Sequence, residues 1–147
     1  MQSKIEIIAE NLMTIHPLLY RSLSKPLRAK TSITPGGMFV LGSLKRNGVL
    51  SMSDIGKCLS MPKPHVTVIV DRLVEEEYVE RHDDPHDRRI INIVITEKGL
   101  KDFDEIKQII SEDLKERLHS LNAQEQDQLM LSSQNVKDLL ISILAND

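Results

Sequence analysis

The chain has 147 residues, with 19 Lys plus Arg against 22 Asp plus Glu, a formal net charge of -3 and 40% hydrophobic side chains, the makeup of one ordinary soluble domain that can bury a core without staples. Its one cysteine, Cys58, permits no intramolecular disulfide and fits a reducing cytosol, while two Tyr, two Phe and no Trp are too few for the stacking platforms of single-strand and RNA readers. Apolar runs such as Ile93-Val94-Ile95 fall far short of a membrane span and the start Met1-Gln2-Ser3-Lys4-Ile5-Glu6 shows no signal-peptide pattern, so the expected location is the cytoplasm, with no membrane partner.

Ile5, Ile8, Leu12, Ile15, Leu19 and Leu23 recur at steps of three and four, the stripe of a long first helix over about residues 4 to 30. An interior proline removes an amide donor and crowds the preceding turn, so Pro17 predicts a bend or a division into two pieces. Thr34-Pro35 reads as the cap and first residue of a second helix with Met38, Val40, Leu41 and Leu44 inward, ending at Asn47-Gly48. Val49-Leu50 is a short extended piece. Ser51-Met52-Ser53-Asp54 then has capping-box spacing and opens a brief third helix with Ile55 and Leu59 on one face. After the turn at Ser60-Met61, a fourth helix is predicted from Lys63 to Glu76 on the pattern Val66, Ile69, Val70, Leu73.

Tyr78-Arg81 and Ile90-Ile95 read as two strands joined by the charged stretch 82–88. Thr96 caps a fifth helix with Leu100, Phe103, Ile106, Ile110, Leu114 and Leu118 in its stripe, and Asn122-Ala123-Gln124-Glu125 opens a sixth with Leu129, Val136, Leu139, Leu140 and Ile143. The fold class is therefore mainly α with a small β-hairpin: a winged helix-turn-helix plus a helical dimerisation region. In such a unit the third helix braces the fourth, whose leading side chains enter the major groove of duplex DNA.

Charge is uneven. Residues 1–50 carry 7 positive and 2 negative groups, 51–96 carry 6 and 9, and 97–147 carry 6 and 11. Any attraction to phosphate must come from local patches, because the tail repels it.

The run from Ile55 through Arg72-Leu73, followed by Tyr78-Val79-Glu80-Arg81, resembles the helix-turn-helix of MarR-type transcriptional regulators. The stretch His82-Asp83-Asp84-Pro85-His86-Asp87-Arg88-Arg89 is similar to that family's wing, with its Asp-x-Arg signature at Asp87 and Arg89, and Ile95-Thr96-Glu97-Lys98-Gly99 is similar to its Leu-Thr-x-x-Gly exit. The likeness takes in essentially the whole chain, including Ile33-Thr34-Pro35. It implies one domain over 1–147, with a DNA-binding part at 34–96 and helical dimerisation parts at 1–33 and 97–147. It further implies a homodimer on a near-palindromic double-stranded operator, acting as a ligand-responsive repressor. The apolar stripes of the first, fifth and sixth helices exceed what one winged unit can cover, which agrees with a partner.

For contacts to DNA, Lys63, His65, Thr67 and Val68 lie on the leading turns of the fourth helix. The plain alternative is that Lys63 and His65 are merely solvated. The family often has a basic or polar residue where Val68 stands, so that position reads a thymine methyl or nothing. Pro62 and Pro64 depart from the family's Ser-rich entry and remove amide donors. At the wing, Arg89 is expected in the minor groove with Asp87 orienting it, beside Arg88 and His86, although a self-paired polar loop is the plain alternative. Ser51, Ser53 and Arg72 are candidates for phosphate contacts, with Arg72 alternatively paired to Asp71 or Glu76.

Small anionic or phenolic effectors bind, in the family, where the dimer helices meet the winged unit, and His16, Tyr20, Arg21 and Met38 are the residues expected to line such a pocket. Cys58 reads as a small buried side chain rather than a redox sensor. His82 and His86 lack a defined third ligand for zinc, and neither a cofactor motif nor a catalytic constellation is readable. The rival reading is a winged helix used only for protein assembly, which steep salt dependence of DNA binding would separate from a regulator.

Overall fold

A computed structural model describes residues 1–145. The chain runs α1 (Lys4–Lys30), α2 (Pro35–Asn47), β1 (Leu50–Ser51), α3 (Met52–Leu59), α4 (Lys63–Glu75), β2 (Val79–Asp83), β3 (Ile91–Ile95), α5 (Glu97–Leu118) and α6 (Ala123–Leu144). It forms two compact units, Met1–Ser111 and the remainder from Glu112, with the boundary inside α5.

Local chemistry sets most boundaries. Ser3, Thr34, Ser51 and Asn122 each accept an amide of the first turn, and Ser3, Ser51 and Asn122 complete reciprocal capping boxes with Glu6, Asp54 and Glu125. Gly48 ends α2 at a φ of 77°, a left-handed conformation that glycine adopts without steric cost. Pro17 does not divide the first helix: α1 is a single 27-residue helix through both Pro17 and Pro26. Each proline deletes one donor, and the intact bonds of neighbouring turns carry the helix past it.

The extended piece near Val49-Leu50 is also more than a connector. As β1 it pairs with β3, Leu50 opposite Ile93 and Ser51 opposite Asn92, so the hairpin is part of a three-stranded antiparallel sheet ordered β1-β3-β2. The core sits on that sheet. Ile55 of α3, Val66 and Val70 of α4, Val79 of β2, Ile93 of β3 and Val40 and Leu41 of α2 are all fully buried; burying such a side chain stabilises by roughly 1.5–3 kcal/mol.

The sheet leads into α5 through one tight junction. Thr96 donates its amide to the Tyr78 carbonyl at 3.0 Å and its hydroxyl to the Glu77 carbonyl at 2.7 Å, while its Oγ1 accepts from the Gly99 amide at 3.0 Å. A Cβ on Gly99 would overlap the Tyr78 carbonyl oxygen, which is the physical reason for a Thr-x-x-Gly exit. Gly99→Ala is therefore expected to lower unfolding free energy by about 2–4 kcal/mol, read as a shifted urea midpoint; an unchanged midpoint would refute this account of the junction.

Candidate nucleic-acid interface

Burial of Val66, Val70 and Leu73 turns the other side of α4 to solvent. Lys63, His65, Val68 and Arg72 are all exposed there, Val68 at 68%. Thr67 is half-buried and its hydroxyl donates to the Lys63 carbonyl at 3.0 Å, which leaves its oxygen lone pairs as the outward group. Pro62 caps α4 without any side-chain bond, and with Pro64 in the first turn the Lys63 amide is the one backbone donor among residues 62–64. Arg72 is not tied to either acid weighed for it: Asp71 pairs with Arg81, and the Glu76 carboxylate accepts from the Ser32 hydroxyl at 3.1 Å.

The start of α3 supplies two serines. Ser51 Oγ accepts the Asp54 amide at 3.1 Å and Asp54 accepts the Ser51 amide at 3.3 Å, so the hydroxyl proton of Ser51 is the part left for an outside acceptor. Ser53 is exposed beside it.

The wing turn is built around two carboxylates. Asp84 Oδ1 accepts the amides of His86 and Asp87 at 2.9 and 3.0 Å, and its Oδ2 accepts Asn92 Nδ2 at 3.0 Å. Asp87 Oδ1 accepts the Arg89 amide and Nε at 3.0 and 3.1 Å, and its Oδ2 accepts Nη2 at 3.0 Å. The expected orientation of Arg89 by Asp87 is thus a forked pair that leaves the guanidinium side chain 89% exposed. Arg88 and His86 are exposed at the same turn. The Arg89 guanidinium and amide hold the Asp87 carboxyl below its ordinary range, and the His86 amide, then Asn92, do the same for Asp84.

Other sequence expectations fare differently. His16 and Tyr20 do come together on α1, ring centroids 6.5 Å apart, and both are exposed with Arg21. Met38 instead packs partly against the core from α2. Two surface recesses of the first unit, one walled by Ser32, Thr34, Arg72 and Glu76 and the other by Glu77, Arg81 and His82, use none of these four side chains.

Cys58 is exposed, not buried. The short α3 buries Ile55 alone, and Cys58 falls outside that narrow stripe. Among the described residues no group of three His, Cys, Asp or Glu side chains is placed to hold a metal ion.

Sequence reasoning missed Asp84, Asn92 and the Asp71–Arg81 pair. The first was detectable, since Asp followed by Pro and two polar residues is the pattern of a side chain that bonds the amides two and three positions on. The other two are tertiary and have no local signal.

Comparison with known proteins gives one consistent answer. The sequence profile described as MarR family matches residues 32–90. The HTH-type transcriptional repressor MdtR of Bacillus subtilis (strain 168) is 29% identical over 108 residues, covering 72% of this chain and 70% of MdtR. The crystal structure of wild type MarR (apo form) from E. coli superposes with a TM-score of 0.79 at 25% identity, covering 87% of this chain and 94% of that one. A mutant MarR from E. coli complexed with operator DNA superposes at 0.69 and 25% identity, covering 90% and 95%.

Both wing carboxyls are depressed below their unfolded values, so the order they confer is complete above about pH 4 and is lost as pH falls through the lower folded values. The amide and Nε–H resonances of Arg89 should therefore undergo a common movement as pH falls below about 4. Absence of any such movement below about pH 4 would contradict the carboxylate-built turn.

Proposed function

Since the chain belongs to the MarR family, as a DNA-binding transcriptional regulator, we propose that it works as a cytoplasmic homodimer that represses transcription from a near-palindromic operator. The observation that carries this reading is the pairing of one exposed, polar-fronted helix with one exposed wing arginine in the same compact unit. Lys63, His65, Thr67 and Val68 meet base edges in the major groove, Val68 against a thymine methyl. Arg89, held by Asp87, enters the minor groove with Arg88 and His86 beside it, where narrow A/T-rich duplex concentrates negative potential. Ser51, Ser53 and Arg72 contact phosphate and set the register without reading sequence.

In this proposal residues 34–96 form the DNA-binding part, while 1–33 and 97–147 dimerise. Two observations support the dimer. The α1 stripe is open to solvent in the single chain, Ile5 at 78%, and α6 buries none of its side chains although Leu139 and Ile143 are 64% and 62% exposed. Apolar surface of that extent on two helices marks a protein partner, and a second copy with two-fold symmetry would set the reading helices about 34 Å apart. MdtR is named a repressor, and repression by steric occupation of a promoter asks nothing more of the chain than tight binding. The proposed activity is regulation rather than catalysis. A small anionic or phenolic effector is proposed near His16, Tyr20 and Arg21, with Met38 at its edge; the adjacent rings of His16 and Tyr20 and the exposed cation of the same helix suit such a ligand.

Arg89→Ala should weaken binding to a duplex selected by the parent protein at least about tenfold while leaving the dimer intact, measured by fluorescence anisotropy alongside sedimentation equilibrium. Affinity of the parent should fall steeply with salt through counterion release; a flat response would turn the reading to an assembly module. Leu139→Glu combined with Ile143→Glu should shift the protein from twice the chain mass to the single chain at about 10 µM, because each charge would have to be desolvated at the interface. A variant that still sediments as the dimer would exclude α6 from that interface.

A further inference from the structure

Asp84 is an acid in the loop that the proposed operator reading places at the minor groove of a polyanion. On charge alone it opposes binding. Its surroundings say otherwise, because every polar contact it makes is used to fix something. One oxygen gathers the amides of His86 and Asp87, closing the turn; the other accepts from Asn92. Asn92 lies in the central strand, opposite Ser51 on one side and His82 on the other. The Asp84 amide in turn donates to the Ile90 carbonyl at 3.1 Å, and the Ile90 amide to the Asp87 carbonyl at 3.0 Å.

These bonds form one continuous path. It begins in the sheet at Asn92, passes through the Asp84 carboxylate to the Asp87 backbone, and reaches the Arg89 guanidinium by way of the Asp87 carboxylate. Without Asp84 the amides of 86 and 87 would face water, and Asp87 would sit on a turn held only by the Ile90 contacts. A long, exposed arginine on such a turn samples many rotamers and must be ordered when it binds.

We propose that Asp84 is a positioning residue for DNA recognition, which keys the wing turn to the central strand and thereby pre-aims Arg89. The inference rests on the reading of Arg89 as a groove contact, and it predicts the reverse of simple electrostatics: removing this negative charge weakens binding. Asparagine keeps the side-chain oxygen that gathers two amides, and its NH2 can donate to Asn92 once the Asn92 amide turns its oxygen inward, whereas alanine keeps neither bond.

The test uses the full chain with Asp84→Ala, Asp84→Asn, Arg89→Ala and the Asp84→Ala/Arg89→Ala double variant. The carboxylate is solvent-accessible and outside the core, so thermal melts should stay close to the parent. In the free protein, 15N relaxation of the Arg89 Nε–H should show lost order in Asp84→Ala and retained order in Asp84→Asn. On the duplex selected by the parent, Asp84→Ala should weaken binding about fivefold or more, Asp84→Asn should stay within about twofold, and Asp84→Ala should cost almost nothing further in the Arg89→Ala background.

Tighter binding by both single variants, equal loss in both, or a cost that persists undiminished without Arg89 would each overturn the proposal. So would unchanged order at Arg89 Nε. If Arg89 loses order as expected but neither Arg89→Ala nor Asp84→Ala affects the duplex, the proposal of a role in DNA recognition fails because the wing reading itself fails. The relaxation arm keeps the two failures apart.

Discussion

The arrangement depends on one constraint: α4 has to bury Val66, Val70 and Leu73 against a core that also holds Ile55 of α3 and Ile93 of the central strand. That stripe fixes the rotation of α4 about its own axis. Lys63, His65, Val68 and Arg72 are turned outward as a consequence of that stripe. Half a turn of α4 about its axis would carry Val68 inward and the core valines outward, so burial of apolar surface, the largest favourable contribution in the domain, is also what sets the chemistry presented to a nucleic acid.

The sheet performs the equivalent task for the wing. β3 is shared between β1 and β2, so the hairpin is anchored by the strand that also leads into the cap of α3 at Ser51. The wing is thus tied by backbone bonds to the element that braces α4. Two of its arginines are matched within the fold, Arg81 with Asp71 and Arg89 with Asp87. In a chain of net charge -3 this leaves recognition to the geometry of a few cationic groups rather than to a broad basic field.

Much of this was legible in the sequence, and the reason is that the boundaries are local. Capping boxes at Ser51 and Asn122, the Thr34-Pro35 start and the Gly48 stop each involve residues within a turn of one another, and each appears where the spacing put it. Helical stripes on α4 and α5 were readable for the same reason. What escaped the sequence is what depends on distant partners. Leu50 gives no sign that it will meet Ile93, nor Asp71 that it will meet Arg81. Pro17 does not split α1 in two, because the intact bonds of a long helix carry it past one missing donor. At the proposed site, Lys63, His65 and Val68 on α4 follow from the stripe and are exposed, and Met38 packs partly inward as its stripe predicted, whereas Cys58 turned away from the core. A stripe specifies its centre well and its margins poorly.

The ion pair between Asp71 on α4 and Arg81 on β2 joins the two parts that would touch a duplex. With α4 and β2 seated on one core through Val66, Val70 and Val79, that exposed pair adds a second, weaker link between the helix and the hairpin. If the proposed effector acts, it would therefore gain little by disturbing one of them alone. In the proposed dimer, the economical way to release such a clamp would be to alter the span between its two halves, which would give the switching work to the long helices proposed to join them.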